Sequence, residues 1–153
     1  MSVIFDGLSL GAIYALIALG YTMVYGIAKM LNFAHGDIIM VGAYAVFTTL
    51  AAGGNLAIGV LASVIVCTLM GIIIEKVAYR PLRGVTPIAV LITAIGVSYL
   101  IQNLAFYITG GVPQPVSNPI PWISENVSIL GTSTKRVTLV TPVLTILLVI
   151  VLV

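Results

Sequence analysis

At 153 residues, 61% of them hydrophobic and 7% charged, the chain has a mean hydropathy of +1.25. Soluble domains carry about 25% charged residues, so a soluble fold is excluded. The net charge of +2 is too small to suggest a nucleic-acid partner. The apolar runs are apolar on every face, unlike the alternating ~10-residue strands of an outer-membrane barrel. The fold class is therefore all-α: a polytopic transmembrane helical bundle of about five spans in the lipid bilayer, forming one domain over residues 1–153.

In chain order, Met1 to Asp6 carries an acidic residue and no basic one, so it lacks the positive start of a signal peptide. The first span covers about residues 8–28. Gly7, Gly11 and Ala15 recur every four residues, a small-residue stripe suited to ordinary helix packing. Tyr14, Tyr21 and Tyr25 bring hydroxyls that need partners if buried, and Tyr25 beside Lys29 also suits the membrane interface.

Next comes a compact polar patch between apolar runs, Asn32-Phe33-Ala34-His35-Gly36-Asp37. An ionised Asp at the bilayer centre costs roughly 2.5–3.5 kcal/mol on insertion scales, so such groups are functional candidates by default. If the stretch is helical, Asn32, His35 and Gly36 share one face, and Phe33 and Asp37 share the neighbouring one. Gly36, with no Cβ, would let another backbone or a ligand come close. The following apolar run, residues 38–52, is short for a full span and ends at Gly53-Gly54-Asn55. Two readings are open. In one, the segment is discontinuous and the patch lies at or near the break, as in transporter binding sites. In the other, the patch is a plain cytoplasmic loop and Asp37 caps the next helix.

The third span, about residues 56–74, carries a second small pair in Gly59 and Ser63. A loop is expected from Glu75 to Pro87, because Pro81 and Pro87 disfavour helix just before them. It holds Lys76, Arg80 and Arg83, which mark a cytoplasmic loop; anchoring at the membrane surface and contact with an ATPase subunit are both open roles. The fourth span, about residues 88–108, contains Thr93, Ser98, Gln102 and Asn103, polar groups able to bond across helices. Gly110 to Arg136 includes Pro113, Pro115, Pro119, Pro121 and Trp122 and reads as an extended external loop. Asn126-Val127-Ser128 within it matches a glycosylation triplet, a pattern common by chance. The last run, residues 137–153, stops inside the hydrocarbon pattern, so a longer chain is expected. With five spans and the amino terminus outside, Lys29, Lys76, Arg80 and Arg83 lie inside, and Lys135 and Arg136 outside.

Covalent chemistry finds no footing. Cys67 is the sole cysteine and reads as a small buried hydrophobe. His35 is the sole histidine, and no cluster with metal-ligand spacing surrounds it. No nucleotide-binding loop or hydrolase motif occurs, and no cofactor is expected.

Gly11-Ala12-Ile13-Tyr14-Ala15-Leu16, Gly20-Tyr21-Thr22-Met23-Val24-Tyr25-Gly26, Leu31-Asn32-Phe33-Ala34-His35-Gly36-Asp37 and Gly42-Ala43-Tyr44 follow one another closely. Glu75-Lys76-Val77-Ala78-Tyr79-Arg80-Pro81-Leu82-Arg83 and Leu91-Ile92-Thr93-Ala94-Ile95-Gly96-Val97-Ser98 come after them. This ordered set, spread over Gly7 to Asn103, resembles the amino-terminal half of the permease subunit of bacterial branched-chain amino acid ABC importers. The resemblance implies a non-enzymatic permease of the cell inner membrane. It also implies a second permease subunit, separate cytoplasmic ATP-binding subunits and a periplasmic substrate-binding protein. It further implies that a cytoplasmic coupling segment and several spans belong to a second half. Relatives that carry urea or short amides share a version of the Asn-x-Ala-His-Gly patch, so the patch alone does not fix the substrate. Two other classes stay open on the residues. An ion-coupled carrier would need intramembrane carboxylates, for which Asp37 is the one candidate. A purely structural subunit would leave the concentration of Asn32, His35 and Asp37 without a use.

Overall fold

The computed structural model describes residues 2–29, 31–114, 125–129 and 132–152. Trp122, Pro115, Pro119 and Pro121 of the expected external loop lie outside the described residues. The elements are α1 (Ser2–Ala28), α2 (His35–Ala51), α3 (Leu56–Ile74), α4 (Pro87–Thr109), β1 (Asn126–Ile129), β2 (Thr132–Lys135) and α5 (Arg136–Leu152). Val3–Ile27, Leu56–Leu82 and Pro87–Thr109 are long and apolar enough to cross a membrane; α2 and α5 are shorter apolar helices. The chain is a multi-pass helical membrane protein. Its packing divides it into two units, Ile27–Pro119 and Met1–Gly26 with Ile120–Val153.

In the unit Ile27–Pro119, α2 and α3 form an antiparallel pair. Asn55 opens α3 in extended backbone, and its Oδ1 accepts the amide of Ile58 at 2.9 Å. That bond satisfies one of the amides every helix start leaves free. Further along, the two helices approach so closely that a Cβ on Gly42 would lie 2.7 Å from Cys67 Sγ and 2.8 Å from Ser63 Oγ. A Cβ on Gly59 would touch Val46 at 3.4 Å. Ser63 and Gly59 thus provide the small-residue seam, with Gly42 as its counterpart on α2. The Cys67 thiol, half-buried, donates to the Ile38 carbonyl at 3.4 Å across the same seam.

α3 does not stop where the charges begin. It runs on through a π-helical turn at Glu75–Tyr79 and a 3₁₀ turn at Arg80–Leu82, so the helical rod Leu56–Leu82 is about 40 Å long at 1.5 Å per residue. The expected loop from Glu75 to Pro87 is corrected to a short link, Arg83–Thr86. Pro81 does not break the rod, because it falls in the first turn of the 3₁₀ segment, where its missing N–H costs nothing. Arg80, just before it, keeps helical backbone (φ −59°, ψ −41°). Thr86, before Pro87, is pushed to ψ 142° as the proline rule expects, and α4 starts there.

The core of this unit collects Ala34, Ile74, Tyr79, Val90, Ala94 and Ile101. Elsewhere large apolar side chains face outward, as on α3 at Leu61, Val64 and Leu69 and on α4 at Ile92, Leu100 and Leu104. Hydrocarbon, not water, is the natural solvent for such surfaces. α4 ends on Gly110 in the left-handed region (φ +66°), where a glycine bears no Cβ penalty. After α1 the same region is taken by Lys29 (φ +53°), which does bear one. Lys29→Gly should therefore stabilise the chain by about 1 kcal/mol, read as a raised thermal midpoint in detergent; a lowered midpoint would contradict the strain.

In the other unit, β1 and β2 pair antiparallel, with Asn126 opposite Lys135 and Ile129 opposite Thr132. This hairpin lies within the segment expected as an extended loop, and the triplet Asn126-Val127-Ser128 is on its first strand. The Glu125 carboxylate and carbonyl hold the Arg136 guanidinium at 2.8 Å and the Arg136 amide at 3.1 Å, pinning the start of α5. Thr138 donates to Asp6 on α1 at 3.5 Å. Neither Gly7 nor Gly11 on α1 has another atom within 4 Å of a notional Cβ among the described residues. Their stripe is thus open, and the close approach is made at α2 and α3 instead.

Candidate functional site

The polar patch folds as a turn followed by a helix start. Asn32 is outside the helix. Its Oδ1 accepts the Ala34 amide at 3.0 Å, a local turn that short Asn side chains favour. The Asn32 carbonyl accepts the His35 amide at 3.2 Å. Ala34 occupies the cap position of α2 without any side-chain cap bond. The expectation that Asp37 caps α2 is therefore corrected: Asn32 has already taken the Ala34 amide, and Asp37 sits inside the first helical turn. The face expected to join Asn32 with His35 and Gly36 does not form either, because the helix begins only at His35.

Asn32 Oδ1 also accepts the Tyr79 hydroxyl at 2.7 Å. Tyr79 is buried and belongs to the π-helical turn after α3. Such turns are frequent at functional sites. Phe33 is 48% exposed, His35 is half-buried and Gly36 is exposed with nothing within 4 Å of a notional Cβ. Among the described residues, then, no backbone makes the close approach expected at Gly36.

Asp37 is 6% exposed and meets α4. Its Oδ1 accepts from Gln102 Nε2 at 2.9 Å, and the same amide nitrogen donates to Ser98 Oγ at 3.0 Å. Its Oδ2 is buried and, among the described residues, without a hydrogen-bond partner. About 22 Å of helix separates Pro87 from Gln102, and about 10 Å separates Gln102 from Thr109. The carboxylate is thus met inside the apolar length of α4, not at its end.

Lys76 lies on the π-helical turn, Arg80 on the 3₁₀ turn and Arg83 in the link. All three are exposed. Arg83 Nη2 pairs with Glu75 Oε1 at 2.5 Å, an exposed pair worth at most about 1 kcal/mol. Among the described residues no three His, Cys, Asp or Glu side chains are grouped to hold a metal ion.

Residues 3–153 match the family model described as branched-chain amino acid transport system, permease component. The chain belongs to that family. Among its relatives, the high-affinity branched-chain amino acid transport system permease protein BraD of Pseudomonas aeruginosa is 50% identical over 107 residues. That match covers 64% of this chain and 35% of BraD. The permease proteins named LivH of Salmonella typhimurium and Escherichia coli K12 are 45% and 44% identical over 108 residues. Each match covers 65% of this chain and 35% of the relative. The chain thus spans about a third of the length of these relatives. No solved structure matches it.

Tyr79, Gln102 and Ser98 escaped assignment to the site from sequence. The first was legible only as part of the Glu75–Arg83 motif. The other two had a detectable signal, since their spacing of four puts them on one face of an apolar span.

Proposed function

We propose that this chain forms part of the translocation path for branched-chain amino acids in an ATP-driven importer of the bacterial inner membrane. Family membership over residues 3–153 carries this reading. The relatives quoted above are all named for branched-chain amino acid transport. ATP hydrolysis belongs to separate cytoplasmic subunits, a periplasmic binding protein delivers the amino acid, and a second permease subunit completes the path. Asn32, Phe33, His35, Gly36 and Asp37 border that path. The bonding of Asp37 to Gln102 within the apolar length of α4 supports the patch's standing at a break in the helical framework rather than in a solvated loop.

Uptake by proteoliposomes holding the full-length permease, its ATPase and a binding protein tests the reading. Leucine should accumulate with ATP present, while urea and a short amide should not. Accumulation of urea without leucine would refute it.

Lys76, Arg80 and Arg83 face the cytoplasm in this reading and are open to an ATPase subunit. Losing the exposed Arg83–Glu75 pair is cheap, so Arg83→Cys should insert normally. In a background with Cys67 replaced, that thiol should resist an impermeant reagent in intact cells and react after permeabilisation. Equal labelling in both states would reject the amino-terminus-outside topology.

A further inference from the structure

A carboxylate in the first turn of a helix ordinarily reaches back to the amide at the cap. At the start of α2 that amide is occupied, because Ala34 N–H donates to Asn32 Oδ1 at 3.0 Å. Asp37 is thereby released from local duty. Gln102 holds one of its oxygens at 2.9 Å, and Ser98 anchors Gln102 in turn at 3.0 Å, accepting from the same nitrogen. An amide nitrogen carries two hydrogens, and both are now used. The other oxygen of Asp37 is buried with no partner among the described residues, in a residue only 6% exposed. Buried polar atoms are almost always bonded, so this oxygen calls for a donor from outside the described residues.

A carboxylate oxygen can only accept, and the Gln102 nitrogen has no hydrogen left to offer. The arrangement therefore suits a group that is all donor and positively charged. We propose that Asp37, oriented by Gln102 and Ser98, binds a primary ammonium group: the α-ammonium of the amino acid in transit. This rests on the amino-acid path proposed above and gives it a chemical criterion. An ammonium supplies three hydrogens and a charge that offsets the carboxylate in a medium where neither is otherwise solvated. Urea or a neutral amide supplies hydrogens without the charge. Asp37 is thus a specificity-determining residue, and Gln102 and Ser98 are positioning residues.

The test uses the complete wild-type permease assembly in lipid nanodiscs, without the soluble binding protein, and measures bound radiolabelled leucine. Isoamylamine, which is leucine without its carboxylate, should compete. Isocaproate, which is leucine without its ammonium, should not. In Asp37→Asn the shape is kept and a donor replaces the acceptor, so leucine binding should fall on the order of tenfold or more. The competition arm needs no variant and stands even if Asp37→Asn fails to assemble. Competition by isocaproate equal to that by isoamylamine, no leucine binding to the wild-type assembly, or unchanged binding in an assembled Asp37→Asn would each overturn the proposal. Absence of leucine uptake by the wild-type transporter with its binding protein and ATP would instead overturn the transport reading.

Discussion

Gly42→Leu should separate α2 from α3, and Gly36→Leu should leave the pair intact. Even the first carbon of a side chain at Gly42 would come within 2.7 Å of Cys67 Sγ and 2.8 Å of Ser63 Oγ. Both are well inside van der Waals contact. The Ser63 hydroxyl can rotate, but Cys67 is tied to the Ile38 carbonyl one turn from Gly42, so room comes only by moving the helices apart. Overpacking of this kind costs typically 1–3 kcal/mol. Leucine adds three further carbons to the clash, so the upper end is expected. Cys67, the sole cysteine, reports the separation directly. Its modification by a membrane-permeant maleimide should quicken markedly in Gly42→Leu and stay at the wild-type rate in Gly36→Leu, where no described residue beyond the local helix lies within 4 Å of a notional Cβ. If Gly42→Leu keeps both the wild-type rate and the wild-type thermal midpoint in detergent, the seam is not the closest contact of the pair. Loss of uptake by Gly36→Leu without any change at Cys67 would point to an approach from outside these helices.

The membrane class and the cores of the spans were legible because composition and unbroken apolar length are direct physical requirements of hydrocarbon. The small residues on α3 were legible too, since spacing by four puts Gly59 and Ser63 on one face. What the sequence hid was which glycine faces which helix. Gly7, Gly11, Gly36 and Gly42 look alike in a string of letters, and only the partner surface distinguishes Gly42. Pro81 misled for a related reason. The rule for residues before proline is a steric preference of a few backbone atoms, and a rod already bonded through a π-helical turn overrode it at Arg80 while obeying it at Thr86. In the polar patch the residue types were legible and their bonding partners were not. A cap by Asp37 was one of the two open readings, but Asn32 lies within the turn itself, five residues earlier, and its hold on the Ala34 amide leaves Asp37 to bond across to α4. Long-range pairs such as Asn32 with Tyr79 and Asp37 with Gln102 carry no periodic signal at all.

Asn32→Ala should cost more than Tyr79→Phe, and the two should not add. Asn32 Oδ1 is a shared acceptor: it takes the Ala34 amide at 3.0 Å and the Tyr79 hydroxyl at 2.7 Å. Ala34 is fully buried and Tyr79 is 7% exposed, so water cannot readily replace either bond. Truncation to alanine removes both at once, leaving a buried amide unmet at about 1–3 kcal/mol and weakening the hold on the hydroxyl. Tyr79→Phe removes the hydroxyl together with its need and keeps the turn at Ala34, so about 0.5–1.5 kcal/mol is expected. Because the two residues share one bond, the double variant should recover part of the sum, with a coupling of roughly 0.5–3 kcal/mol. That coupling has a functional side. Tyr79 stands on the π-helical turn that continues α3 toward the exposed Lys76, Arg80 and Arg83, and Asn32 stands at the turn that positions Asp37. In the importer proposed above, Tyr79→Phe should therefore lower leucine uptake per ATP hydrolysed while leaving insertion and the amount of assembled complex unchanged. The measurement is uptake and phosphate release from the same proteoliposomes. An unchanged ratio together with additive stabilities in the double variant would reduce the bond to a packing contact and leave the basic segment unconnected to the polar turn.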